Sequence, residues 1–142
     1  IAHLGINQPG RLTWIGASMG GALGIRMTGL PGTPVGKLVL IDVGPVVPIQ
    51  DIEAITARVA QPLAFGTLYQ FEKFMSDLRA SAWGPVPEGY WRAMAGHSAW
   101  ALPDGRIAPA YDPAIAEIFA VEARGELWDY WDAVRCPVLA LR

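Results

Sequence analysis

Apolar positions along this chain fall into short unbroken runs near its two ends and recur at helical spacing between them. "RLTWIG" (11–16) is a mostly apolar run that follows the turn residues "NQPG", and it predicts a buried strand. "MGGALGIRMTG" (19–29) predicts a helix with Met19, Leu23 and Met27 on one face, at i, i+4 and i+8. Proline and glycine make 30–36 a loop. "KLVLID" (37–42) is apolar without alternation, as parallel strands covered on both faces are. Strand, helix and strand in quick succession form one βαβ unit, which implies a parallel sheet with helices on its faces. "CPVLAL" (136–141) has the same character and predicts a further strand.

Between these runs, from about Val46 to Trp131, the pattern is helical and broken by turns. Residues 51–59 form a short candidate helix. Residues 67–79 form a better one, with Leu68, Phe71, Met75 and Leu78 on one face. Residues 87–98 predict a helix with Pro87 at its start, and "LPDGR" (102–106) is a turn. "YDPAIAEIFA" has Asp112 placed as an N-cap and Pro113 at the first helical position, and 127–133 is a last short helix. The expected organisation is therefore an α/β core segment at 1–45, a helical insertion at 46–132 and a returning core strand at 133–142. The chain opens on what reads as a helix tail (1–4, stopped by Gly5) and closes on a strand. Both ends look cut, as expected of an internal portion of a longer protein.

Composition narrows the partners. At 52% apolar among 142 residues the chain can bury a core, and a net charge of −2 without a basic run argues against a nucleic-acid surface. One cysteine, Cys136, excludes an internal disulfide and a cysteine-built metal site. No apolar run reaches membrane-spanning length, and no signal peptide is seen, so a cytoplasmic location is expected. Nothing in the sequence asks for a cofactor or a metal.

The candidate chemistry lies at Gly16-Ala17-Ser18-Met19-Gly20, a G-x-S-x-G pattern between a predicted strand and a predicted helix. In that setting Ser18 sits on a sharp turn at the carboxyl end of the sheet, where open α/β sheets bind ligands. Gly16 and Gly20 are expected because side chains there would collide with the neighbouring strand and helix. Gly21 and Gly24 are expected to let the helix pack close. The backbone N–H of Met19 would stand at a helix N-terminus, ready for an oxyanion. The rival readings of such a loop fail on particular residues. A dinucleotide loop would need glycine at position 18, and a Walker loop would need a lysine.

"LTWIGASMGGALGIRM", then "KLVLIDVGP", then a helical insertion, then "CPVLALR", resembles the middle of a cap-bearing α/β-hydrolase, over essentially the whole chain. The closest likeness is to bacterial serine hydrolases of the esterase and carbon–carbon bond hydrolase kind. Haloalkane dehalogenases share the architecture but carry an aspartate where this chain has Ser18. The resemblance implies an ester or related acyl bond cleaved through an acyl-enzyme at Ser18, with a small acyl substrate as partner. Two alternatives stay open: a carbon–carbon bond hydrolase of ring-cleavage products, and a non-catalytic hydrolase-like binding protein. Oligomeric state is left open.

In that family the order is serine, then acid, then histidine after the last strand. His3 and His97 therefore read as structural, each partly buried in a local hydrogen bond. The catalytic histidine and the second oxyanion donor are expected outside this chain, which alone would be inactive. Asp42, at the end of the second strand, is the candidate acid. The alternatives are a carboxylate beyond Arg142 and a purely structural Asp42 capping N–H groups near Gly44. Asp51, Asp112 and Asp132 read as caps or surface carboxylates. Trp83, Trp91, Trp100, Trp128 and Trp131, with Phe65, Phe71, Phe74, Tyr90 and Tyr111, read mainly as the insertion's own core, one or two of them lining a pocket. Arg92 reads as solvated and Trp14 as strand packing. A sheet built from these strands alone would expose apolar faces and edges that favour aggregation.

Overall fold

A computed structural model describes Ile6 and residues 8–122 and 125–142. The helix tail expected at 1–4, with His3, lies outside the described residues. The chain divides into two compact units, one made of Ile1–Thr56 with Glu117–Arg142, the other of Ala57–Ala116. The second falls within the segment 46–132 that the hydrophobic pattern marks off.

The first unit is built on a parallel sheet in the order β1-β2-β5, from β1 (Leu12–Ala17), β2 (Val35–Ile41) and β5 (Val138–Leu141). Trp14 pairs with Leu38, and Leu38 with Val138. β2 starts two residues before the expected Lys37. Leu12 N–H already bonds the Pro34 carbonyl at 2.8 Å, and Gly36 lies against the Gly10 carbonyl, where a side chain would not fit. Its glycine therefore belongs to the strand, not to the loop.

Helices α1 (Met19–Gly29) and α6 (Trp128–Ala133) pack together, and α1 lies on β1 and β2. Ile25, Leu38, Leu40 and Leu127 form the core there, with Trp14, Val43, Tyr130 and Trp131 against it. The buried face of α1 is Gly21, Gly24, Ile25 and Thr28, not the expected Met19, Leu23 and Met27; Leu23 is 47% exposed. Glycine explains the difference. A β-carbon on Gly24 would stand 2.7 Å from Trp14 Cδ1 and 2.9 Å from Leu38 Cδ1, and one on Gly21 would meet Val43. The helix thus approaches the sheet through its smallest residues, and the larger apolar ones point elsewhere.

Burial along β2 alternates, and β5 is exposed throughout, so these strands are not covered on both faces as their composition suggested. The face carrying Trp14, Leu38 and Leu40 is packed under helix. The opposite face carries Ile15, Ile41, Leu139 and Leu141, of which Ile15 is 67% exposed. The apolar face expected from the sequence is present.

α2 (Ile49–Val59) and α5 (Ile115–Glu122) span the boundaries between the units. In the second unit, α3 (Leu68–Trp83) and α4 (Tyr90–His97) enclose a core of Phe71, Met75 and Ala95, with Phe65, Phe74 and Trp91 against it. Leu68, expected on the same face, is exposed. α4 begins three residues after Pro87 because Gly89, at φ 76°, interrupts the helix, and the Pro87 carbonyl instead closes a turn with Tyr90 N–H at 3.1 Å. Similarly, Asp112 and Pro113 precede α5 in a turn, with Asp112 Oδ1 accepting Ala114 N–H at 2.9 Å.

The insertion is not wholly helical. β3 (Ala99–Ala101) and β4 (Ile107–Pro109) form an antiparallel hairpin around the predicted "LPDGR" turn. Leu102 N–H bonds the Arg106 carbonyl at 2.8 Å, and Asp104 accepts both the N–H and the Nε of Arg106. Among the described residues no helix is long and apolar enough to cross a membrane.

A β-carbon on Gly16 would strike the Gly20 carbonyl and Gly21 nitrogen, whereas one on Gly20 meets nothing within 4 Å. Gly16→Ala should therefore cost about 3 kcal/mol in urea unfolding. Gly20→Ala should stay within about 1 kcal/mol of the parent, on the stabilising side. Equal losses at the two positions would contradict this packing. The open apolar face should make the isolated chain self-associate. Sedimentation showing a concentration-independent monomer would contradict that.

Candidate active site

β1 ends at Ala17 and α1 begins at Met19, so Ser18 alone turns the chain from strand to helix. It does so at φ 47° and ψ −121°, a positive φ that a residue with a β-carbon keeps only when its surroundings impose it. The surroundings act from both sides. Ser18 N–H donates to the Ile41 carbonyl of the neighbouring strand at 3.3 Å. Its own carbonyl accepts from Gly21 and Ala22 N–H at 3.0 Å each. Gly16 supplies the space into which the Gly20 carbonyl fits. The expected collision at Gly20 itself is absent: a side chain there would point into open space.

Serine at a helix N-cap usually turns its hydroxyl onto an N–H of the first turn. Ser18 makes no such bond and is exposed, so its hydroxyl is available to a ligand. Met19 is the first residue of α1, and the helix itself offers its N–H no acceptor. A serine hydroxyl and a donor at the positive end of the helix dipole are thus adjacent in the chain.

Asp42 follows β2 and is exposed. Its N–H donates to the Leu141 carbonyl at 2.8 Å, and it too has a positive φ, 51°. Among the described residues, Ser18 and Asp42 are the non-glycine residues with positive φ. Ala17 pairs with Ile41, so Ser18 and Asp42 leave adjacent strands at the same level. The alternative of a capping carboxylate near Gly44 is not seen: no described residue donates to the Asp42 side chain. The positive φ of Asp42 has little signature in the sequence. Its signal is modest, since aspartate tolerates the left-handed region better than most residues.

Asp51 lies exposed in the first turn of α2, and Asp132 lies exposed on α6, its carbonyl bonded to Arg135. His97 ends α4 exposed, not half-buried in a local bond as expected. Arg92 is exposed, as expected. Phe65, Phe71, Phe74 and Trp91 serve the second unit's core and Trp131 the first's, while Trp83, Trp100 and Trp128 are exposed. The Trp83 ring meets Tyr90 edge-on and Trp91 at a tilt. Among the described residues no three His, Cys, Asp or Glu side chains gather as metal ligands would. In two exposed pairs of the second unit one partner shifts the other's titration. Asp77 holds Lys73 above its ordinary value, and the N–H and guanidinium of Arg106 hold Asp104 below its own.

No family model matches the chain. A 3-hydroxybutyrate-oligomer hydrolase of Cupriavidus necator is 34% identical over 154 residues, covering all of this chain and 50% of that protein. The crystal structure of an α/β hydrolase from Novosphingobium aromaticivorans is 29% identical, with a TM-score of 0.84 over 99% of this chain and 50% of that one. An esterase of M. tuberculosis is 26% identical, with a TM-score of 0.64 over 90% of this chain and 43% of that one. The chain thus spans about half the length of these relatives. With the parallel sheet, the single-residue turn at Ser18 and this structural likeness together, the chain has the α/β-hydrolase fold.

Proposed function

We propose that the whole protein carrying this chain is a serine hydrolase that cleaves small carboxylic esters through an acyl-enzyme at Ser18. The observation that carries this reading is the uncapped, exposed Ser18 held at positive φ beside the Met19 N–H. In the first half-reaction Ser18 Oγ attacks the ester carbonyl carbon while a base takes its proton. The C–O bond to the alcohol then breaks, and the base returns the proton to the departing oxygen. In the second, the same base deprotonates water, which attacks the acyl-enzyme and releases the acid and the Ser18 hydroxyl. The Met19 N–H meets the oxyanion in both halves.

We assign the base to a histidine in the remainder of the whole protein, in keeping with relatives about twice as long as this chain. Asp42 is the carboxylate we assign to orient it; support comes from its strand end, level with Ser18, and from its unengaged side chain. An ester substrate is supported by the relative that hydrolyses 3-hydroxybutyrate oligomers and by the esterase neighbour.

A fluorophosphonate probe should label the whole protein at Ser18, and Ser18→Ala should abolish both labelling and turnover. Folded protein without a Ser18 adduct would sink the reading. Linear 3-hydroxybutyrate esters and p-nitrophenyl butyrate should be turned over in preference to vinylogous diketone acids; the reverse preference would favour carbon–carbon bond hydrolysis. Asp42→Asn should lower kcat by about four orders of magnitude. A loss below about tenfold would move the acid to a carboxylate outside this chain.

A further inference from the structure

We infer that Trp14 is a positioning residue for Ser18, acting through the first turn of α1; this inference rests on the nucleophile reading above. Trp14 stands on β1 four residues before Ser18, on the sheet face that α1 covers. Its indole Nε1–H donates to the Gly20 carbonyl at 2.8 Å. Gly20 lies two residues past Ser18, in the first helical turn. The same carbonyl lies against Gly16. One carbonyl of the turn is therefore held by two residues of β1, through contact at Gly16 and through a hydrogen bond at Trp14.

This bond is more than a buried polar group finding a partner. In an α-helix the Gly20 carbonyl is already the acceptor for Gly24 N–H, so the indole takes its second lone pair. Helix formation does not require that bond; its effect is to tie the turn to the strand. Room for the ring exists only because residue 24 has no side chain, since a β-carbon there would stand 2.7 Å from both Trp14 Cδ1 and Nε1. The tie matters because Ser18 sits at φ 47°, a conformation the chain leaves if the turn relaxes away from β1. Holding the Gly20 carbonyl down holds the Ser18 hydroxyl and the Met19 N–H where one carbonyl group can meet both.

The test is Trp14→Phe in the whole protein, which keeps an aromatic ring and removes the N–H, alongside incorporation of benzothienylalanine, which keeps the indole shape and replaces N–H by sulfur. Both should lower kcat and the rate of Ser18 labelling about tenfold, the effect of one lost hydrogen bond, with KM changed by less than about twofold. Ile25→Val loosens the same helix–sheet contact without touching the turn. It should lower the thermal midpoint at least as much while leaving kcat within about twofold. Unchanged labelling in the benzothienylalanine protein, or an equal loss of kcat in Ile25→Val, would overturn the inference. If the parent protein itself is not labelled at Ser18, the nucleophile reading fails instead, and the two failures are thereby distinguished.

Discussion

The close approach of α1 to β1 is the constraint on which the rest of the first unit depends. At Gly16 the Gly20 carbonyl occupies the place a side chain would take, and at Gly24 the Trp14 ring does the same. With these contacts the strand passes into the helix through one residue, and that residue must take up a left-handed backbone angle. The strain at Ser18 follows from packing on either side of it. The hydroxyl is consequently held out at the end of the sheet and left uncapped, at the helix N-terminus where an oxyanion is best received.

The parallel register extends this arrangement to the next strand. β2 pairs with β1 so that Ile41 faces Ala17, and the chain leaves both strands at one level. Asp42, like Ser18, turns there with a positive φ, anchored by its own N–H to the Leu141 carbonyl. Two strained polar residues on neighbouring strand ends are what a site needs if their relative position is to be set by the sheet and not by mobile loops. The second unit holds together by different means, an aromatic and methionine core between two helices and a short hairpin.

Much of the first unit was legible from the sequence because its signals are local. The apolar runs of β1 and β2, the G-x-S-x-G between strand and helix, and the absence of a phosphate-loop residue pattern can each be read within a dozen positions. The second unit was less legible. Its hairpin strands are three residues each, too short for an alternation to register, and only the "LPDGR" turn between them gave a signal. Pro87 has the signature of a helix start, whereas the positive φ that delays α4 lies at Gly89, two residues on.

What the sequence by itself determined is the chain's fold class and the serine at its strand-to-helix junction. A serine flanked by glycines at a strand-to-helix junction leaves few other readings once its neighbours rule out phosphate binding. Only the tertiary structure decided which residues of α1 face the sheet, that Gly16 is sterically required while Gly20 is not, and that Trp14 grips the turn. Helical spacing favours Met19, Leu23 and Met27 because apolar size is all that periodicity registers. Backbone-to-backbone approach favours Gly21 and Gly24, and that distance exists only once strand and helix are packed.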